Sequence, residues 1–184
     1  MTKKLSPKKK KIVQLLIDLL AFIVLAALDQ VTKFFAVKHL KDQPAIELIP
    51  GVFKLQYLEN RGAAFGMLQN GKVFFVFAAV VMLTAIVFVL MKAPVSRKYR
   101  PWHVFLVMIG AGGIGNMIDR LRLDYVVDFF YFSLIDFPIF NVADIFVSVG
   151  TGLFIIFILF FCKEEDLQFI SLSIQKKNSY RRPK

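Results

Sequence analysis

Residues 139–162, IFNVADIFVSVGTGLFIIFILFFC, decide the fold, because their second half is an uninterrupted apolar run. A helix needs roughly 20 mostly apolar residues to cross the hydrocarbon core of a bilayer, and this stretch is long enough. Its polar and small residues recur at helical spacing, and they are Asn141, Asp144, Ser148, Thr151 and Gly152. Because polar groups are unfavourable in lipid, this side is predicted to face protein.

Three further apolar stretches are predicted to cross the membrane, at 12–28, 73–91 and 103–118. The composition supports them, since 57% of the residues are hydrophobic and 21 are Phe, whereas soluble domains are roughly 45–50% apolar. The third stretch is short, and its Gly112 and Gly113 predict close approach of another helix. The predicted fold class is an all-α membrane protein with four transmembrane helices.

The net charge of +11 comes from basic residues at the ends of the apolar runs. Nucleic-acid binders instead spread Lys and Arg over a soluble face, so no nucleic-acid partner is expected. Lys and Arg in short flanking segments stay on the cytoplasmic side, which predicts cytoplasmic segments at 1–11, 92–100 and 163–184. Both termini then lie inside, and the connections near 37–72 and 119–138 lie outside.

The N-terminal helix has an alternative interpretation. A basic head, an apolar run and Leu25-Ala26-Ala27 also fit a cleaved signal peptide. Asp18 is unusual in such a core, and cleavage would reverse the charge pattern of the remaining helices, so a retained helix is preferred. Three regions are therefore predicted: a basic head at 1–11, a transmembrane domain at 12–162 and a basic tail at 163–184.

Residues 52–59 of the first outer connection, VFKLQYLE, alternate in part between apolar and polar side chains. Phe53, Leu55 and Tyr57 fall on one side of an extended chain, and Lys54 and Gln56 fall on the other. This pattern predicts a small outer β-like segment with one apolar face. A short helix or loop is expected beside it in the second outer connection.

Polar residues from three helices and two connections converge on one level near the outer surface. They are Asp29, Asn60, Arg61, Asn116, Asp119, Arg120, Asp128, Asn141 and Asp144. Ionisable groups at membrane depth are unfavourable unless they are paired or face a wet interior, so the convergence predicts a functional site. Asp18 is the only ionisable residue that is predicted to lie much deeper.

The available side chains limit the chemistry of this site. Cys162 is the only cysteine, and His39 and His103 are the only histidines. His103 is predicted to be an interfacial residue at the cytoplasmic end, and His39 to lie in a solvated connection. A serine nucleophile that uses Lys33 as its base stays open.

Carboxylates are the best-placed groups. Two Asp close together in a low-dielectric site share a proton, so that one acts as base toward water and the other as acid toward a carbonyl oxygen. Asp128, predicted in an outer connection, and Asp144, at the start of the fourth helix, are the best candidates. Asp119, followed at once by Arg120, predicts an ion pair or a positioning element.

Five blocks of this sequence resemble the ordered motifs of the signal peptidase II family. They are Asp29-Gln30-Val31-Thr32-Lys33, Asn60-Arg61-Gly62-Ala63-Ala64-Phe65-Gly66, Gly112-Gly113-Ile114-Gly115-Asn116-Met117-Ile118-Asp119-Arg120, Val126-Val127-Asp128-Phe129 and Phe140-Asn141-Val142-Ala143-Asp144. The resemblance implies an aspartyl endopeptidase of the bacterial cytoplasmic membrane, with its site near the outer face and with no metal or organic cofactor. Its substrates would be prolipoproteins with a diacylglyceryl-modified cysteine, cut before that cysteine, and globomycin-type inhibitors would bind. A monomer is expected.

The resemblance also assigns residues. Asp128 and Asp144 would be the catalytic pair. The substrate-binding and supporting residues would be Asn60, Gly62, Asn116, Arg120, Asn141, Asp29, Lys33 and Asp119.

Two other functions stay open. A small proton-coupled transporter or relay protein predicts polar residues that continue across the bilayer. A noncatalytic assembly or chaperone subunit predicts that substitution of Asp128 and Asp144 by Asn leaves function intact.

Overall fold

The computed structural model describes residues 6–62 and 71–170. Four helices within these residues are long and apolar enough to cross a membrane. They are α1 (Pro7–Leu40), α2 (Lys72–Lys92), α3 (Arg100–Leu123) and α4 (Val142–Phe161). The predicted four-helix membrane fold is confirmed. Short 3₁₀ turns occupy Arg97–Tyr99, Ser133–Ile135 and Glu164–Ile170.

Helix α1 is longer at both ends than the sequence predicted. The Ser6 side chain caps its start by accepting a hydrogen bond from the Lys9 N–H. Its 34 residues extend about 51 Å at about 1.5 Å per residue, which exceeds the roughly 30 Å hydrocarbon core. His39, predicted in a connection, instead lies in the last turn and stacks on Phe35.

Helix α3 is the centre of the bundle. In its most apolar stretch of 18 residues, 44% of the residues are buried, whereas the corresponding share is 11% for each of the other three helices. Gly112 packs so closely on α4 that a Cβ atom there would overlap the carbonyl oxygen of Ala143, and a Cβ at Gly115 would overlap the Asp29 carboxylate. The close helix approach predicted from the glycines is confirmed.

A three-stranded antiparallel sheet with the order β1-β2-β3 lies beside one end of the bundle. Its strands are β1 (Ile46–Ile49), β2 (Phe53–Asn60) and β3 (Val126–Phe132). The predicted strand corresponds to β2, whereas β1 and β3 were not predicted. Asp128 is therefore the third residue of a strand rather than part of an irregular connection.

The sheet is held on the bundle by a small apolar cluster. Ala36 and Leu40, from the end of α1, pack with Val127 and Phe129 of β3. All four residues are buried. Because β3 is fixed in this way, Asp128 between the two apolar residues has a defined position.

The prediction that the polar side of α4 faces protein is wrong for two residues. Ser148 and Gly152 are exposed, and nothing lies within 4 Å of the position of a Gly152 Cβ. The buried face instead carries the small residues Ala143 and Gly150, which let α4 approach α3. The first part of the polar side, with Asp144 and Ser148, borders a cavity.

The first residues of the predicted tail fold against the start of α3. Asp166 pairs with Lys98, and Phe169 packs edge-on against Trp102. Three predicted features lie outside the described residues: the Lys-rich start before Ser6, the Ala63-Ala64-Phe65-Gly66 part of the second block, and the basic residues from Lys176 onward.

Candidate active site

Asn141 connects the two candidate aspartates. Its side-chain oxygen accepts a 3.0 Å hydrogen bond from the Asp144 N–H, and the Asp144 carboxylate accepts one of 3.0 Å from the Asn141 N–H. This capping box starts α4 and fixes the Asp144 side chain. The Asn141 amide nitrogen also donates to Asp128 Oδ1 at 2.6 Å. One buried asparagine therefore positions both carboxylates.

Asn116 of α3 supports the same arrangement from the other side. Its amide nitrogen donates to Asp144 Oδ1 at 2.8 Å. Its oxygen accepts hydrogen bonds from Asn141 Nδ2 at 3.0 Å and from Lys33 Nζ at 2.9 Å. Because Lys33 can only donate, it fixes which end of the Asn116 amide faces Asp144.

Lys33 is the centre of a buried ion cluster. Its Nζ lies 3.0 Å from Asp29 Oδ2 and 2.9 Å from Asp119 Oδ2. The second Asp29 oxygen accepts from the Ala143 N–H at 2.9 Å, and Asp119 accepts from the Val127 N–H at 3.2 Å. The cluster therefore links α1 and α3 to the first turn of α4 and to β3, the two elements that carry the candidate aspartates.

Two predictions about neighbouring residues need qualification. Among the ion pairs of the described residues, Asp119 pairs with Lys33 rather than with the adjacent Arg120. Gln30 was missed as a site residue, although its amide donates to Asp119 Oδ1 at 3.0 Å and to the Gly115 carbonyl at 3.2 Å. Its place beside Asp29 in the first block was the available signal. It was missed because Gln30 carries no charge and the prediction for α1 rested on ionisable residues.

The second oxygen of Asp128 is held by Asn60, whose amide nitrogen donates to it at 2.8 Å. The Asn60 oxygen accepts from the Gly62 N–H at 3.0 Å, and the Arg120 guanidinium donates to the Gly62 carbonyl at 3.1 Å. The guanidinium also lies 4.5 Å from the centre of the Phe75 ring. Phe75 was not predicted, since an aromatic residue in an apolar helix carries no distinguishing signal.

A cavity of about 540 Å³ opens beside the two aspartates. Asn60, Asn116, Arg120, Asp128 and Asp144 form its polar part. Its apolar walls come from α2, α4 and the segment before α4, and they include Phe75, Phe137, Pro138, Ile139, Phe140, Ile145 and Val149. A ligand here would contact both carboxylates together with a large apolar surface.

The environment of Asp128 changes its protonation. Burial raises the pKa of this carboxyl to about 7, and the nearby charge of Asp144 acts in the same direction, whereas the hydrogen bonds from Asn60 and Asn141 oppose the shift. Asp128 can therefore hold a proton near neutral pH. Two carboxyl groups that differ in protonation can act as acid and base in hydrolysis.

The structure thus brings all ten predicted site residues into one network or onto its rim, while their chemical roles stay predictions. His103 is different: it lies in the first turn of α3, at the end predicted to be interfacial, but it faces α1 inside the bundle. The ring is buried, its Nδ1 lies 2.6 Å from Asp18 Oδ2, and Gln14 donates to the other Asp18 oxygen at 2.8 Å. This second polar cluster lies in the opposite half of the bundle.

The fold and the site together define a class: a helical membrane protein with two carboxylates that accept hydrogen bonds from one asparagine beside an open cavity. Residues 21–160 match the family model described as Signal peptidase (SPase) II. The lipoprotein signal peptidase of Streptococcus thermophilus (strain CNRZ 1066) is 46% identical over 147 residues, which cover 79% of this chain and 92% of the relative. That of Clostridioides difficile (strain 630) is 43% identical over 143 residues, which cover 78% of this chain and 95% of the relative.

Solved structures agree with these sequence matches. A bacterial membrane enzyme structure at 2.3 Å resolution superposes with a TM-score of 0.70 and 31% identity, and the match covers 87% of this chain and 94% of that one. The chain therefore belongs to the signal peptidase II family. It is a bacterial membrane peptidase.

Proposed function

We propose that this chain is an aspartic endopeptidase that removes signal peptides from diacylglyceryl-modified prolipoproteins by cleaving before the modified cysteine. One observation carries the proposal. Asp128 and Asp144 both hydrogen-bond to Asn141, and both line the same cavity. Membership of the signal peptidase II family supports the choice of substrate.

In the proposed mechanism the two aspartates share one proton. Asp128, whose pKa is raised to about 7, holds it at rest. Ionised Asp144 takes a proton from a water molecule, and the resulting hydroxide attacks the scissile carbonyl carbon while Asp128 protonates the carbonyl oxygen. The intermediate then breaks its C–N bond as Asp144 gives a proton to the leaving amine of the cysteine. Asp128 takes a proton back from one hydroxyl group of the intermediate, which leaves a carboxylic acid product and restores the shared proton.

The other site residues have positioning roles in this proposal. Arg120 and Asn60, which contact Gly62 on the cavity rim, are placed to orient the substrate backbone. Lys33, with Asp29 and Asp119, holds Asn116 in the orientation that Asp144 needs. The apolar walls suit acyl chains, and the same cavity would accept a globomycin-type inhibitor.

We further propose that the chain lies in the cytoplasmic membrane with both termini inside and the aspartates near the outer face. The basic residues Arg97, Lys98 and Arg100 support this orientation, since they lie between α2 and α3 at the opposite end from the sheet. A diacylglyceryl anchor would hold the substrate cysteine at the level of the aspartates. A monomer is proposed because one chain supplies the whole network described above.

Cleavage of a defined substrate tests the proposal. The purified protein in detergent is incubated with a diacylglyceryl-modified prolipoprotein and, in parallel, with a matched precursor whose cysteine is replaced by serine. We expect cleavage of the modified precursor alone, a new N-terminus at the modified cysteine by mass spectrometry, and inhibition by globomycin. Failure of the folded protein to cut the modified precursor, or equal cleavage of both precursors, contradicts the proposal.

The orientation is tested separately by cysteine labelling. With Cys162 replaced by serine, a membrane-impermeant maleimide should label a Gln56→Cys variant in cells whose cytoplasmic membrane is intact. A Ser96→Cys variant should be labelled only after that membrane is permeabilised. The reverse pattern would overturn the orientation.

A further inference from the structure

Two cavities are lined by the buried His103, at the end of the bundle opposite the sheet. The smaller cavity, about 130 Å³, is lined by Gln14, Val95, Ser96, Arg97, Arg100 and His103. The larger, about 370 Å³, lies between α1 and α3. Both share Gln14, Arg100 and His103. The smaller cavity has a mainly polar lining and the larger a mainly apolar one, and we call the adjoining pair, with its polar mouth and apolar body, the Arg100 groove.

The body of this groove has the dimensions of an acyl chain. Its apolar lining comes from Ile17, Ala21 and Leu25 of α1 and from Val104 and Met108 of α3. Along α1 the groove extends from Gln14 to Leu25, a distance of about 16 Å at about 1.5 Å per residue. One leaflet contributes about 15 Å of the roughly 30 Å hydrocarbon core. The groove therefore covers the depth of a single leaflet.

The mouth of the groove is positively charged. Arg97 and Arg100 are exposed, and no carboxylate of residues 6–62 or 71–170 forms an ion pair with either. Nearby Lys98 differs, because it pairs with Asp166. The only carboxylate that lines the groove is Asp18, and His103 and Gln14 hold its two oxygens.

His103 adds an independent observation. Its side chain is 5% exposed, and its Nδ1 contacts Asp18. Its Nε2 is the one buried side-chain polar atom in the described part of the chain without a hydrogen-bond partner. A buried polar atom without a partner is unfavourable, so a polar ligand group at the mouth would supply what the protein lacks.

We propose that the Arg100 groove binds an anionic phospholipid. Its phosphate lies at Arg97 and Arg100, a headgroup oxygen reaches His103, and one acyl chain follows the apolar body between α1 and α3. With the orientation proposed above, this lipid belongs to the inner leaflet. The groove is separate from the peptidase cavity, so lipid binding there does not depend on cleavage.

The test uses fluorescence quenching by brominated lipids. In a Trp102→Phe background, Val104→Trp places the only tryptophan in the groove, and Leu159→Trp places it on an exposed part of α4 as control. Each variant is reconstituted in phosphatidylcholine vesicles that contain brominated phosphatidylglycerol or brominated phosphatidylcholine. At about 1 kcal/mol per basic residue, phosphatidylglycerol should bind about 5- to 25-fold more strongly than phosphatidylcholine at Val104→Trp. At Leu159→Trp the ratio should be about 1.

Matched substitutions identify the residues responsible. The double variant Arg97→Gln/Arg100→Gln should lower the phosphatidylglycerol-to-phosphatidylcholine ratio at Val104→Trp to the control value. The double variant Lys8→Gln/Lys9→Gln removes the same charge at the same membrane end and should leave this ratio unchanged. Ala21→Phe should fill the groove and reduce quenching by both lipids, and Ala27→Phe, outside the groove on the same helix, should not. Equal binding of the two lipids at Val104→Trp, or a preference that survives loss of both arginines, overturns the proposal.

A second measurement leaves Trp102 in place. Native mass spectrometry of the wild type should show phosphatidylglycerol that is retained after detergent release, and the Arg97→Gln/Arg100→Gln variant should have lost it. Equal retention by both proteins contradicts the proposal in the same way.

Discussion

The bundle contains two buried clusters with carboxylates, in its opposite halves, and their structures differ. The Asp18 cluster consists of Gln14, Asp18 and His103. The site cluster consists of Asp29, Lys33, Asn116, Asp119, Asp128, Asn141 and Asp144. Apolar residues that include Phe22, Leu25 and Leu106 pack in the core between them. A continuous polar path, as a proton relay requires, is therefore not supported by the described residues.

The two clusters show that buried carboxylates can have very different partners. Asp18 has one imidazole and one amide as partners, and no second carboxylate shares its cluster. In the site cluster, Asp128 and Asp144 are held by amides from Asn60, Asn116 and Asn141. Amide donors fix a carboxylate without neutralising it, so the pair can still exchange a proton with a ligand in the cavity.

The largest stability effect is expected at Lys33. Lys33→Met should destabilise the protein by about 3–5 kcal/mol, because it leaves Asp29 and Asp119 buried without their cation. His103→Gln should destabilise the protein less, because only one buried carboxylate, Asp18, then loses a partner. Thermal unfolding in detergent measures both variants, and a Lys33→Met protein as stable as wild type would show that the ion cluster does not hold the site together.

Helix packing under the site cluster should have the next largest effect. Gly112→Ala should cost about 1–3 kcal/mol, since its Cβ would overlap the Ala143 carbonyl next to the α4 cap. Gly152→Ala on the open side of the same helix pair is the matched control, and it should be neutral or stabilising by up to about 1 kcal/mol. Equal unfolding temperatures for the two variants would contradict the close α3–α4 contact.

The pH dependence of cleavage distinguishes the two clusters. Burial and Asp144 raise the pKa of Asp128 to about 7, so Asp128 loses its proton above this pH. No acid then remains for the carbonyl oxygen, and kcat/KM should fall about tenfold per pH unit. Asp18→Asn should leave this alkaline limb unchanged. A flat profile from pH 6 to 9 would show that Asp128 is not the acid.

The smallest effect is expected for the exposed ion pair between Lys72 and Asp124. Hydrogen bonding to Lys72 lowers the pKa of the Asp124 carboxyl. Exposed ion pairs are screened by water and contribute little, so Lys72→Ala should leave cleavage unchanged and stability nearly so. A large loss in either measurement would mean that the site depends on this outer contact.

The sequence predicted the helices well, and it predicted that the site residues lie close together, because both depend on hydropathy and on the unfavourable placement of charge in lipid. The β3 strand was missed, since VVDFFYF contains almost no polar alternation and its first four residues are all buried. The full length of α1 was missed for a related reason. Asp29 and Lys33 interrupt the apolar pattern, although their partners in the fold satisfy both charges.

Partner choice was the least predictable feature. His103 lies near basic residues in the sequence, which favoured an interfacial position, and nothing in the pattern indicated Asp18 on another helix. Likewise, the spacing on α4 could place Asp144 and Ser148 on one side but could not show whether that side meets a helix or a cavity. Such pairings depend on helix rotation, which α3 and its glycines fix only in the folded bundle.

The most direct test compares the clusters in one assay. Cleavage of a diacylglyceryl-modified prolipoprotein is measured for wild type, Asp128→Asn, Asp144→Asn and Asp18→Asn, with thermal unfolding to show that each variant is folded. We expect the first two substitutions to lower kcat about 1,000-fold or more. One general acid or base contributes roughly 10²- to 10⁴-fold, and each substitution also removes the shared proton. Asp18→Asn should keep the wild-type rate. A folded Asp128→Asn or Asp144→Asn protein that cleaves at the wild-type rate would contradict the account.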